Sequence, residues 1–212
     1  MSDVKVPVTR RKASYAKGLE RRRLLLAAAS ALLKVCPLDK ISLKDIAAEA
    51  EIPVGSAYHF YTNANDVFIE LAQQFAGTLS QALSMPYTGE CTNSWQGLFG
   101  EAVQRAVGIY REQPAYAQLI IGGKAPPEIK LADRDSDAQI GKLFEEIISR
   151  HFEYTPFPSH DDVFFYAVEI VDLFMSLSVI KYDEITDQMA MEGETAALAY
   201  LREYMPARLP AR

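Results

Sequence analysis

The chain has 212 residues, 49% hydrophobic and 24% charged, which is long enough for a sizeable buried core and too apolar for disorder to be the default. Its net charge of −6 conceals an asymmetry: through Asp66 there are 11 Lys or Arg against 7 Asp or Glu, a net of +4, and from Val67 onward 11 against 21, a net of −10. A basic first third on an acidic remainder points to a polyanion-binding head on a body that nucleic acid repels.

The run RRKASYAKGLERRR sets Arg10, Arg11, Lys12, Lys17, Arg21, Arg22 and Arg23 against Glu20 alone, and residues 1–18 read as a basic arm. A first helix is predicted over residues 19–35, with Leu25, Leu26, Ala29, Leu32 and Leu33 on one face and Pro37 as its stop. The second begins at Ser42, which forms a capping-box pattern with Asp45, and runs to about Glu49 with Leu43, Ile46 and Ala47 inward. After a turn at Glu51 and Ile52 comes a third helix over residues 53–60, with proline near its start where the missing N–H costs nothing. Asn63 caps a long fourth helix over residues 64–83.

Beyond Pro86 the periodicity stays helical, so the expected fold is all-α. Trp95 to Tyr110 marks a fifth helix ending before Pro114, residues 116–121 a short sixth, and Gly122 with Gly123 a break. The segment 124–136, with Pro126, Pro127 and dense charge, reads as a loop; residues 140–148 then form a seventh helix, followed by a break at Pro156 and Pro158. The last two helices span residues 159–181 and 185–205. The first of these is apolar around most of its circumference, which implies burial on two sides: the chain's own core on one and a second copy on the other, a homodimer closed by a four-helix bundle.

Two short helices, a tight turn and a preceding support helix make a helix-turn-helix unit, whose second helix enters a major groove. In IPVGSAYHF, Val54, Gly55 and Ser56 stand at that helix's N-terminal end, where small residues let the backbone approach base edges. Ser56 can donate or accept a hydrogen bond, and Val54 can meet a thymine methyl. Tyr58 and His59, one turn on, reach phosphates, as do Ser42 and Lys44 at the start of the second helix.

Residues 22–66, RRLLLAAASALLKVCPLDKISLKDIAAEAEIPVGSAYHFYTNAND, resemble the DNA-binding domain of the tetracycline-repressor (TetR) family. The resemblance implies an N-terminal three-helix head over residues 19–66, joined by a long helix to a helical effector-binding and dimerisation domain over residues 67–212. It also implies a cytoplasmic homodimer on a palindromic double-stranded DNA operator, acting as a repressor released by a small molecule. By the same resemblance Val54, Gly55, Ser56 and Tyr58 match base-contacting positions, and Ser42, Lys44 and His59 backbone-contacting ones. Glu51 departs from the family, standing where glycine is usual in the turn, and Ala64 replaces a common lysine. The alternative is a DNA-binding protein that takes no ligand and answers to a protein partner.

For an effector, Trp95, Phe99, Tyr110, Tyr116, Phe144, Phe165, Phe174 and Met175 are the candidate lining of an apolar cavity, and the ligand expected there is apolar or aromatic. No catalytic constellation, cofactor motif or metal spacing stands out: Glu145 with Glu146 and Asp161 with Asp162 are adjacent pairs that point apart on helices. Cys36, Cys91, His59, His151 and His160 are scattered, so neither an enzyme nor a zinc protein is expected. The longest apolar run near the start, LLLAAASALL, is about half of a bilayer span, and no membrane association is expected.

Overall fold

A computed structural model describes residues 8–121, 125–155 and 162–212, with side chains from residue 15 onward. The arm residues 1–7, the break at Gly122 and Gly123, Pro156, Pro158, His160 and Asp161 lie outside the described residues. The fold is all-α; among the described residues the one extended pairing is an isolated antiparallel bridge between Phe152 and Ala211. The chain divides into two compact units, Met1–Leu71 and Ala72–Arg212.

In the first unit α1 spans Val8–Leu33, α2 Leu43–Glu49 and α3 Val54–Ala57. Helix α1 begins eleven residues before the expected start at Leu19, because Ala13, Ala16, Lys and Arg are strong helix formers and only Gly18 interrupts them. Leu25, Ala29 and Leu33 of α1 pack with Ile46 and Ala47 of α2, Ala57 of α3, and Val67 and Phe68 of the following helix to form a core in which none of these residues is exposed beyond 1%. Ser42 caps α2 as expected: its hydroxyl accepts from the Asp45 N–H at 3.3 Å, while the Asp45 carboxylate accepts from the Ser42 N–H at 2.9 Å. The Ser42 hydroxyl, which also donates to the Asp45 carboxylate, and the Ser42 N–H together hold the Asp45 carboxyl below its usual range.

Helix α4 spans Ala64–Ser84. In the second unit follow α5 Trp95–Glu112, a short α6 Pro114–Tyr116 that continues as a π-helical turn Ala117–Ile121, α7 Pro127–His151, α8 Val163–Tyr182 and α9 Asp187–Leu201. The Ser94 hydroxyl caps α5 by accepting from the Gly97 N–H at 3.0 Å. Arg105 of α5 satisfies the end of α4, donating to the carbonyls of Ala82, Met85 and Pro86 while its guanidinium lies 4.0 Å over the Tyr87 ring. Gly193 of α9 is required by packing, since a Cβ there would lie 2.9 Å from the Phe174 side chain of α8.

The expected loop before the seventh helix is also corrected. Residues 127–136 of the expected loop over 124–136 are helical: α7 starts at Pro127 and runs unbroken for 25 residues. Proline at the first helical position costs no hydrogen bond, Glu128 favours the positive end of the helix dipole, and the charges that suggested a loop lie along helix faces.

Candidate functional site

The turn between α2 and α3 is made without glycine. Glu51 takes the left-handed conformation, φ 53°, which lets the Ile52 N–H reach back to the Ala47 carbonyl at 2.9 Å and buries the Ile52 side chain. Pro53 then starts α3, and helical winding continues past its last residue, with the Tyr61 N–H on the Ala57 carbonyl at 3.0 Å. Ala57 faces the core with no exposure, whereas Val54 and Tyr58, four residues apart, are 42% and 51% exposed. Gly55 and His59 are exposed beside them, Ser56 is half-buried, and Ser42 and Lys44 are exposed at the start of α2.

Gly55 has an ordinary negative-φ backbone, and a Cβ placed on it would meet nothing within 4 Å. The chain's own packing therefore does not demand glycine there. The Ser42 hydroxyl is occupied by the cap, donating to Asp45 Oδ2 at 2.6 Å. Two arginines of the basic run serve internal pairs: Arg22 lies 2.6 Å from Glu70, which also accepts from the Tyr61 hydroxyl at 2.8 Å, and Arg23 pairs with Glu20 at 2.7 Å. Burial, with that bond to Glu70, pushes the Tyr61 phenol up to about 12.

The body contains two adjoining spaces. One, of about 50 Å³, is walled by apolar side chains of α4, α5, α7 and α8, among them Leu79, Phe99, Tyr110, Ile140 and Met175. The other, of about 230 Å³, is polar and bounded by Lys130, Asp133, Arg134, Glu169 and Ser176. Asp137 and Asp172 line both.

Of the eight expected lining residues, Phe99, Tyr110 and Met175 are at the apolar space. The other five pack elsewhere. Trp95 is wholly buried with its ring N–H on the Pro206 carbonyl at 2.9 Å; Tyr116 stacks on Phe75 at 4.1 Å; Phe144 lies edge-on between Phe99 and Phe164; the Phe165 ring lies 5.4 Å from that of Tyr166; and Phe174 abuts Gly193.

Sequence reasoning missed the carboxylates. Asp133, Asp137 and Asp172 bring one oxygen each to within 4.8 Å of one another. Asp133 and Asp137 share a face of α7 at a spacing of four, and Glu169 and Asp172 come from α8. Burial, then the negative charges of Asp172, Asp133 and Glu169, pushes Asp137 up to about 10; burial and Glu169 push Asp133 up to about 7; Asp172 is raised for the same reasons. Arg134 approaches Glu169 at 3.5 Å, an ion-pair distance too long for a good hydrogen bond. A signal was available, because Glu169 and Asp172 interrupt the otherwise apolar stretch VFFYAVEIVDLFMSLSVI and a carboxyl group there is costly unless it has a use.

The fold and these sites define a two-unit, all-α protein with a helix-turn-helix head and a cavity-bearing helical body. The family model described as the tetracyclin repressor-like C-terminal domain matches residues 93–205, more than half of the chain, and the chain belongs to the TetR family of transcriptional regulators. Its fold is similar to that of a TetR-family transcriptional regulator from Streptomyces coelicolor, at 20% identity and a TM-score of 0.70 over 89% of this chain and 99% of that one. A TetR transcriptional regulator from Rhodococcus sp. RHA1 matches at 14% identity and a TM-score of 0.64 over 87% and 97% of the two chains. A TetR-family regulator from Mesorhizobium loti matches at 15% identity and a TM-score of 0.59 over 88% and 97%. None of the curated proteins matches the chain.

Proposed function

We propose that the protein is a cytoplasmic, non-enzymatic repressor that binds a palindromic operator as a homodimer through residues 19–66 and is released when a small molecule enters the body formed by residues 67–212. The observation that carries the reading is the outward set at the start of α3. Val54 and Tyr58 are exposed on one face, and Gly55 between them is small without an internal reason, as a helix must be where its backbone approaches base edges. Ser56 and Tyr58 then read bases, Lys44 and His59 hold phosphates, and the basic arm over residues 1–18 adds contacts to the DNA backbone.

Dimerisation rests on α8. Phe164, Ala167, Val171, Met175 and Ser178 are buried on one side, while Tyr166, Leu173, Leu177 and Ile180 are 44–63% exposed on the other. Helix α8 is long and apolar enough to cross a membrane by length and composition alone, and a core on one face with a second copy on the other accounts for that apolarity without a bilayer.

The test is a selection of random duplex DNA on the purified protein at moderate salt. The expected result is a two-fold symmetric motif with half-sites about one helical turn, about 34 Å, apart. Recovery of no motif, with only weak salt-sensitive binding, overturns the reading.

A further inference from the structure

Asp137 is only 4% exposed, lines both body spaces, and meets no hydrogen bond or ion pair among the described residues. A carboxyl group left in that state has a desolvation cost that its own fold does nothing to offset. It also lies against two half-buried carboxyls, Asp172 and Asp133, whose oxygens come within 4.8 Å of its own and of one another. The charges around the polar space are four carboxylates, Asp133, Asp137, Glu169 and Asp172, against two cations, Lys130 and Arg134, of which Arg134 leans on Glu169. From α5 the Tyr110 phenol faces Asp172 and the apolar space, where Phe99 stands on the same helix. Acid on one side and hydrocarbon on the other, with Asp137 and Asp172 shared, is the complement of a molecule that carries a positive head on an apolar body.

We propose that the two spaces form one binding site for a small organic cation, its ammonium group held by Asp133, Asp137 and Asp172 and its alkyl or aryl part seated against Phe99, Tyr110 and Met175. A bare divalent ion would satisfy the carboxylates and leave the apolar wall without an occupant. An uncharged aromatic or lipid would fill the wall and leave Asp137 buried and unpartnered. The ring faces of Tyr110 and Phe99 add attraction for a cation. That this ligand is the effector rests on the regulator reading above; that the site binds a cation does not.

Cation binding favours the ionised carboxylates, so protons leave Asp137, Asp133 and Asp172 as the ligand enters, and affinity rises with pH between about 6 and 9.

The experiment is titration calorimetry of the full chain without DNA, using hexyltrimethylammonium, hexanol, hexanoate and magnesium chloride as separate probes. The ammonium compound is expected to bind at least about tenfold more tightly than the alcohol or the acid, with proton release visible as a dependence of the heat on the buffer. Asp137→Asn and Asp172→Asn, which keep the side-chain volume and remove the charge, are each expected to weaken it by about tenfold or more and to reduce the proton release. Equal binding of hexanol, saturable binding of magnesium that displaces the ammonium compound, or natively helical Asn variants that bind it like the parent all overturn the proposal. A calorimetric blank beside a recovered operator overturns the cation site and leaves the regulator standing; cation binding beside a failed DNA selection establishes the site and removes the regulator.

Discussion

At the scale of single residues, the chain carries two local costs with different meanings. Glu51 holds a left-handed backbone that glycine adopts freely, and it places a negative charge three residues before the start of α3. Glu51→Gly is expected to raise affinity for DNA of any sequence, and a fluorescence-anisotropy titration against specific and random duplexes checks it. Gly55 is the reverse case. Gly55→Ala should raise the melting temperature, because alanine is the better helix former by roughly 1 kcal/mol and finds open space, while weakening operator binding. If the substitution left operator binding untouched, α3 would not be the reading element. The buried carboxyls have a pH signature. Asp133 titrates at about 7 and Asp137 at about 10 in the folded protein, against an ordinary 3.8, so the fold binds more protons than the unfolded chain above about pH 4. Stability without ligand is therefore fully present below about pH 4 and falls as pH rises through 7 toward 10. Asp137→Asn should flatten that decline, read as the denaturant midpoint at pH 6 and pH 9.

At the scale of elements, helix ends decide much of the architecture. Ser178, wholly buried near the end of α8, donates to the Glu184 carbonyl at 2.8 Å and accepts from the Thr186 N–H at 3.0 Å, while the Thr186 hydroxyl caps α9 by accepting from Met189. Ser178→Ala removes the partner of the Thr186 N–H and of the Glu184 carbonyl and is expected to cost about 1 kcal/mol, measured by denaturant unfolding. On the head, the helix-turn-helix was legible because its signals are short-range: a cap at Ser42, a proline at the head of α3 and a three-to-four residue apolar spacing. The extra turns of α1 and the first half of α7 were not, since charge-rich sequence reads as loop or tail even where its lysines, arginines and alanines are good helix formers. Lys44, exposed beside the α2 cap, should on replacement by alanine weaken binding to all sequences alike and reduce the salt slope by about 1.

At the scale of the whole molecule, the proposed dimer rests on the exposed apolar face of α8 formed by Tyr166, Leu173, Leu177 and Ile180. Leu177→Glu is expected to convert a dimer to a monomer in sedimentation, with helical content unchanged by circular dichroism and operator affinity sharply reduced, because two half-sites must then be filled independently. A monomeric parent protein at micromolar concentration would remove the dimer from the reading.

The amino-acid sequence by itself determined the helical class, the head with its outward Val54, Tyr58 and His59, and the two-sided apolar helix near the C-terminus, because each is written in periodicity and caps within a few turns of chain. Only the tertiary structure decided the body's chemistry. Tyr110, Asp137 and Asp172 are separated by 27 and 35 positions and acquire a common neighbourhood when α5, α7 and α8 pack together. Of the eight aromatic and sulfur-bearing candidates, Trp95, Tyr116 and Phe144 went to the core and Phe165 and Phe174 to half-buried positions away from either space: hydrophobicity says that a side chain tends to be buried, and packing alone says whether it is buried against the protein or against a space.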